Sequence, residues 1–348
     1  MGSEMCIRDR NKEIRNLSWT ELLGPFNGLW LGYSTNKYIR YVAASGGVIT
    51  SLLLMALEEK IIDGAIIVKM LPGTLPTARA FIATTPLEVI EAATSKYCPV
   101  MLSEALKKTD STKRYAIVGL PCHIHALRKY SRVDPKLQER ICLYLGLFCG
   151  GLPTYSGTIY ILKRLGVYGK VIVDIKYRGR GWPGRLLIRT NDSVLQLPYP
   201  QYWNDAFLYF VPKGCLTCLD VFNPYADIAV GDAWLPHIME EDRLGSSLII
   251  ARTYLGKSLI ELACDKGYLH IEPVDASKVI LSQLGKVSIA GHYTGYWRNF
   301  STYITALQLR IGRIIAGARL WLLLDLYANF VSKMFELASR ILRRTKRY

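Results

Sequence analysis

Between Ala44 and Gly166 the sequence switches repeatedly between two periodicities, and that alternation is its strongest constraint on fold. Val48 to about Glu59 is apolar at helical spacing, and the apolar run Gly64 to Lys69 that follows has the length of a strand. A helix-like TPLEVIEAAT comes next, then SKYCPVMLSEALKK, then the strand-like RYAIVGLPC. ICLYLGLFCGGLP reads as a further strand broken by a Gly-Gly-x-Pro stop, and TYSGTIYILKRLGV as a helix ending at Gly166. Such alternation predicts an α/β fold, a mostly parallel or mixed sheet flanked by helices. From Val171 to Tyr199 short strands separated by turn residues predict a small antiparallel insertion. ADIAVGDAW and SSLIIARTYLGKSLIELACDKG return to strand, then to strand plus helix.

The C-terminal stretch has a different character. Arg310 to Tyr348 holds nine Lys/Arg against two Asp/Glu. Leu320, Leu324, Tyr327, Val331, Met334, Ala338 and Ile341 recur at steps of four and three, which is one face of a helix. This predicts a basic, amphipathic helical extension over residues 286–348. Its apolar face could dock on its own domain, pair with a second copy in a homo-oligomer, or lie on an anionic membrane surface. Nucleic acid is not expected as a partner, because the basic residues are not interleaved with aromatics and no recognition motif is visible.

Half of the residues are hydrophobic and 21% are charged, which excludes a disordered chain. A net charge of +16 favours acidic partners. The start of the sequence carries no apolar signal region. The longest apolar stretch near its end is interrupted by Arg319 and Asp325, short of the ~18 residues that span a bilayer. These features predict a cytoplasmic protein, peripheral at most on the inner membrane face. The first ten residues, MGSEMCIRDR, read as a non-native leader.

In a cytoplasmic setting eight cysteines should be thiols, metal ligands or catalysts and seldom disulfides. Cys122 follows a strand at the mouth of a helix, Cys149 follows another strand, and Cys215 and Cys218 form a Cys-x-x-Cys pair in a glycine-led loop. Loops at the ends of adjacent parallel strands converge in space. Four thiolates so gathered suit zinc or an iron–sulfur cluster. Structural zinc usually takes two short-spaced pairs, and a redox dithiol sits at a helix start after a strand; here one pair stands alone before a loop. Spacing leaves a cluster, zinc, a dithiol and four unrelated thiols all open. Cys142 and Cys264 read as core thiols, and Cys98 as a reserve ligand.

Six segments in order carry a family resemblance: ASGGVITSLL, TSKYCP, VGLPCHIHALRK, LFCGGLPT, IKYRGRGWPG and KGCLTCLDVFNPYADIAVGDAW. Over roughly residues 25–275 the sequence resembles the beta subunits of coenzyme F-420 hydrogenases and dehydrogenases. The resemblance implies an oxidoreductase with FAD and a 4Fe–4S cluster close to it, ligated by Cys122, Cys149, Cys215 and Cys218. It also implies a flavin-binding part over residues 11–105 and a cluster-bearing domain over residues 106–285. Flavin would exchange hydride with an organic partner while the cluster passes single electrons.

Within that resemblance, Ser45, Gly46 and Gly47 before a helix are a candidate phosphate seat for FAD. Lys96 is a candidate partner of the pyrophosphate or a ring carbonyl. Lys176, Arg178 and Arg180 flank a Gly-Trp turn and could meet an acidic ligand. Asp227 and Asp232 could hold a ribityl hydroxyl or order the cysteine loop. His123 is a weak candidate proton donor, with a structural hydrogen bond as the plainer role for it and for His125. Many bacterial relatives begin with a ferredoxin module that this sequence lacks. The resemblance therefore implies either a stand-alone bacterial type or a chain whose N-terminal module was lost, served by a separate ferredoxin or another redox protein, in a setting such as cell-surface polysaccharide synthesis. Two rivals remain: a non-catalytic electron relay or partner subunit, and a zinc-stabilised binding protein.

Overall fold

The computed structural model describes residues 19–199, 202, 207–284 and 286, with scattered positions between 311 and 331. The first ten residues, read above as a leader, lie outside the described residues, as does most of the basic tail. The strands are β1 Gly28–Ser34, β2 Gly64–Leu71, β3 Thr77–Ala83, β4 Tyr115–Gly119, β5 Ile141–Leu147, β6 Ile172–Lys176, β7 Arg185–Thr190, β8 Val194–Pro198, β9 Ile228–Asp232, β10 Ser247–Ala251 and β11 Leu269–Pro273. Eight form one sheet in the order β11-β1-β10-β9-β5-β4-β2-β3, and β6-β7-β8 form a second.

The middle of the large sheet, β2-β4-β5-β9, is parallel, and the strands added at either side are antiparallel. The sheet is therefore mixed. The parallel centre is buried on both faces, as crossover helices require. Successive residues alternate between two cores: Ile66, Ile117 and Ala229 join one, whereas Ala65, Ile67, Ala116, Ile228 and Val230 join the other. The second core is covered by the helix Val48–Glu58, the predicted segment almost to the residue. The first is covered by the helix Pro121–Ser131, which buries Ile124 and Leu127.

β1 lies between β10 and β11, more than two hundred residues away in sequence. The N-terminal and C-terminal parts, divided in sequence near residue 105, thus share one sheet. The antiparallel insertion forms as expected and packs with the helix Tyr155–Arg164 around a third core. Of the tail, Ala316 is buried in that core, and Ile315 and Tyr327 pack against it. Tyr327 meets Tyr209 with ring centroids 5.8 Å apart. These three tail residues thus pack on their own chain.

Candidate metal centre

Neighbouring parallel strands β4 and β5 end side by side, at Gly119 and Leu147. Cys122 sits in the first turn of the helix that leaves β4, whose Pro121 lacks an N–H and so suits a helix start. Cys149 lies two residues past β5, its N–H donating to the carbonyl of Val221 at 3.0 Å. That bond ties the β5 exit to the segment downstream of the Cys-x-x-Cys pair. Cys215 lies in the short helix Lys213–Leu216, and the Cys218 N–H donates back to the Cys215 carbonyl at 3.3 Å.

The four thiols feel one another. Burial pushes Cys122 up to about 12, and negative charge at Cys218, Cys215 and Asp220 adds to the rise. Burial likewise pushes Cys149 up to about 12, with further contributions from Cys122 and Cys215. Cys218 also reaches about 12 through burial, where Lys286 opposes the rise and Asp220 and Cys149 add to it. Three strand-end and loop segments have therefore brought four thiols into one electrostatic neighbourhood. Cys122, Cys149 and Cys218 so raised hold their protons until a cation offsets the charge, which is how metal binding and thiol deprotonation are linked. Backbone N–H groups of His123, Gly151 and Asp220 act on Cys122, Cys149 and Cys218 as hydrogen-bond donors and favour their thiolates. Gly151 adopts φ +119°, a region open to glycine, with Cys215 Cβ 3.9 Å from where a side chain would begin.

Among the described residues no three His, Cys, Asp or Glu side chains converge closely enough to ligate one ion. A tetrahedral zinc site needs sulfurs about 3.8 Å apart, given zinc–sulfur bonds of about 2.3 Å. A four-iron cluster binds each thiolate to a different iron and accepts a wider set. Four thiols within electrostatic reach of one another, three of them with a backbone N–H donor, are a donor set of the type that an iron–sulfur cluster takes.

Two further residues complete the surroundings, and neither was singled out from sequence. Asn223 is fully buried, with φ +51°. Its Nδ2 donates to the carbonyls of Gly119 at 3.1 Å and Leu147 at 3.3 Å. One side chain from the Cys-x-x-Cys segment therefore joins the ends of both strands that deliver Cys122 and Cys149. Gly146 makes room for it: a Cβ there would lie 2.5 Å from the Asn223 amide. The Asn-Pro dipeptide was a visible turn signal in the sequence. Lys286, by contrast, carried no signal; its Nζ donates to the Cys215 carbonyl.

The remaining residues singled out from sequence are placed differently. Arg178 is 1% exposed. All five of its N–H groups are engaged, by the carbonyls of Pro183 and Ala44, the Tyr97 hydroxyl and both oxygens of Asp232. Arg178 thus has no donor left for an acidic ligand, and Asp232 serves as its counter-ion while also accepting from Trp182 Nε1 at 2.9 Å. Asp227 lies at the opposite end of β9, paired with Arg128 at 3.1 Å and accepting from Tyr144 N and Thr253 Oγ1. It braces the fold and stands apart from the cysteine end. Gly46 packs between β1 and β10, where a Cβ would meet the Gly32 carbonyl at 2.7 Å and Ser247 N at 2.9 Å. Gly47, with φ +78°, is the cap of the Val48–Glu58 helix, and Ser45 Oγ donates to the Ser246 carbonyl at 2.7 Å. Ser45 and Gly46 are thus held by contacts within the chain.

Lys96 and Lys176 line a cavity of about 200 Å³ together with Lys69, Glu88, Glu91 and Asp174. Lys96 Nζ donates to the carbonyls of Ala92, Ala93 at 3.1 Å and Thr94 at 2.8 Å, closing the end of the helix Pro86–Glu91. Burial and then the Lys176 charge draw its amine down to about 7. Lys176 and Arg180 are both exposed. His123 Nδ1 accepts from Leu120 N at 3.4 Å, and burial holds the ring down to about 4, so it is neutral at physiological pH. His125 is buried and stacks on Tyr225 with centroids 4.4 Å apart. Cys98 is buried in the third core against Met70, and Cys142 and Cys264 pack on the second core.

Fold and site together define a mixed-sheet α/β protein with Cys122 and Cys149 just past the ends of two neighbouring parallel strands. Residues 29–107 match the N-terminal part, and residues 112–277 the C-terminal part, of the family described as coenzyme F420 hydrogenase/dehydrogenase, beta subunit. The chain belongs to the coenzyme F420 hydrogenase/dehydrogenase beta subunit family. It is 28% identical over 278 residues to the coenzyme F420 hydrogenase subunit beta of Methanothermobacter thermautotrophicus, spanning 77% of this chain and 92% of that one. It is 27% identical over 251 residues to the coenzyme F420-dependent sulfite reductase of Methanocaldococcus jannaschii, spanning 66% of this chain and 36% of that protein. A chain in the F420-reducing NiFe hydrogenase complex of Methanosarcina barkeri shares the fold, with a TM-score of 0.61 at 22% identity over 78% of this chain and 92% of that chain.

Proposed function

We propose that this protein is a redox subunit that holds one 4Fe–4S cluster on Cys122, Cys149, Cys215 and Cys218. The observation that carries the reading is the mutual electrostatic influence of four thiols delivered by three separate segments to one end of the parallel sheet. When bound, such a cluster supplies one-electron storage and transfer. The residues of this chain do the rest. Asn223 fixes the spacing of the loops, N–H groups of His123, Gly151 and Asp220 donate to sulfur, and partial burial limits water at the centre.

The finer reading couples this centre to hydride exchange at FAD, with a ferredoxin or another redox protein as the one-electron partner. FAD and ferredoxin rest on the sequence resemblance alone; the names of relatives support the redox role, since they include F420-dependent enzymes and hydrogenase subunits. The net charge of +16 suits an acidic redox partner. A relay subunit without its own organic substrate is the second reading, favoured by relatives that are themselves named as subunits. The cell-surface polysaccharide setting rests on resemblance. Peripheral membrane contact through residues 310–348 draws support from nine basic residues and from the exposure of Ile314, Leu323, Leu326 and Phe330.

Anaerobic reconstitution with iron and sulfide tests the proposal. Wild-type protein should retain about four irons per chain, and Cys122→Ser, Cys149→Ser, Cys215→Ser and Cys218→Ser should each lose iron while Cys98→Ser keeps it. Full iron in Cys215→Ser would overturn the ligand set. Flavin analysis of the same samples separates the coupled oxidoreductase from the relay.

A further inference from the structure

The family match ends at residue 277, yet the chain continues past it into contact with the cysteine loop. The helix Ala276–Ser282 ends against the sheet, where Gln283 Nε2 donates to the Asp232 carbonyl at 3.0 Å. The Lys286 N–H donates back to the Gln283 carbonyl at 3.1 Å. This anchored end carries the half-buried Lys286 to the centre, where its Nζ meets the Cys215 carbonyl. The Cys215 carbonyl also accepts from the Cys218 N–H, so the ammonium sits on the turn that carries both cysteines of the Cys-x-x-Cys pair.

Four thiolates around an iron–sulfur core leave a net negative charge, which grows by one unit on reduction. A fixed cation nearby stabilises both states and the reduced state more, so it raises the reduction potential. The same ammonium pins the Cys-x-x-Cys turn by its carbonyl.

We propose that Lys286 is the positioning cation of this centre, holding the Cys215 turn by its carbonyl and setting the reduction potential through its fixed charge. The proposal rests on the cluster reading above. A role in docking a segment without effect on the centre is the alternative that the test must separate.

The test is a redox titration with dithionite as reductant, followed by EPR, on full-length reconstituted protein. It compares wild type, Lys286→Met and Lys286→Arg, with iron per chain measured in each. The expected result is a midpoint shifted to more negative potential in Lys286→Met and largely restored in Lys286→Arg. Iron lost from Lys286→Met but kept by Lys286→Arg would also support the charge role, since Met preserves length and packing. An unchanged midpoint in Lys286→Met with full iron would overturn the proposal and leave the cluster reading standing. Equal loss of iron in both variants would overturn it too, by assigning the position to shape. Wild-type protein that takes up no iron would sink the cluster reading and this proposal with it.

Discussion

Replacing Asn223 probes how the loops are held together. Its amide donates to Gly119 O and Leu147 O, and its own Oδ1 has no partner among the described residues. In Asn223→Ala two carbonyls at the strand ends lose their donor, at about 1 kcal/mol each. Alanine at φ +51° adds about 1–2 kcal/mol, because asparagine tolerates the left-handed region better. Removing the unpartnered Oδ1 returns about 1 kcal/mol, so the net loss should be about 2–3 kcal/mol. Asn223→Asp keeps the shape and the backbone preference but faces two carbonyls with a carboxyl group. If the donor matters, Asp should be at least as damaging as Ala, and both should lower iron retention. Urea denaturation of the reduced apoprotein gives the stabilities, and iron analysis after reconstitution gives the second readout. If Asp is close to wild type while Ala is impaired, the residue fills space above Gly146 and the clamp argument fails.

Arg178→Met should cost about 3–5 kcal/mol, because it strips Asp232 of a buried partner; denaturation followed by the fluorescence of the neighbouring Trp182 and Trp234 reads this, and a loss under 1 kcal/mol would contradict the structural role. Burial holds His123 at about 4, below its ordinary 6.5, so between these values the unfolded chain binds a proton that the folded chain does not. Stability should therefore be complete above pH 6.5 and fall as pH drops toward 4, by at most about 3 kcal/mol. His123→Gln should flatten that decline, and identical slopes in both proteins would refute the assignment. Vesicles containing anionic lipid should co-sediment the full chain in low salt and release a Leu323→Glu, Leu326→Glu, Phe330→Glu variant; equal binding by both would remove the membrane proposal.

The parallel centre of the sheet was legible because β4 and β5 are apolar runs bounded by glycine and proline. The apolar runs follow from burial on two faces, and the glycine and proline bounds from turn chemistry. β1 was missed as an inserted strand, since nothing local in GLWLGYS says that it pairs with residues 247–251 and 269–273. Cys122 and Cys149 were legible as strand-end cysteines because that position is a local property, and the structure places each just past the end of a neighbouring parallel strand. The surrounding roles were not. Glycines before a helix look alike whether they seat a phosphate or admit a neighbouring strand, and Gly46 admits the strand. Arg178 beside glycine and tryptophan looked like a surface cation, whereas its five hydrogen bonds come from partners up to 134 residues away. Lys286 could not be recognised from its neighbours, because its contact with Cys215 spans 71 residues.

The most direct test of the four-thiolate centre is the EPR spectrum of anaerobically reconstituted, dithionite-reduced protein, recorded with its iron, sulfide and zinc content. The expected result is a brown protein with about four irons and four sulfides per chain, a signal from one reduced cluster, and loss of that signal in Cys149→Ser and Cys218→Ser. A colourless protein that holds a single zinc on the same cysteines, with no signal on reduction, would contradict it.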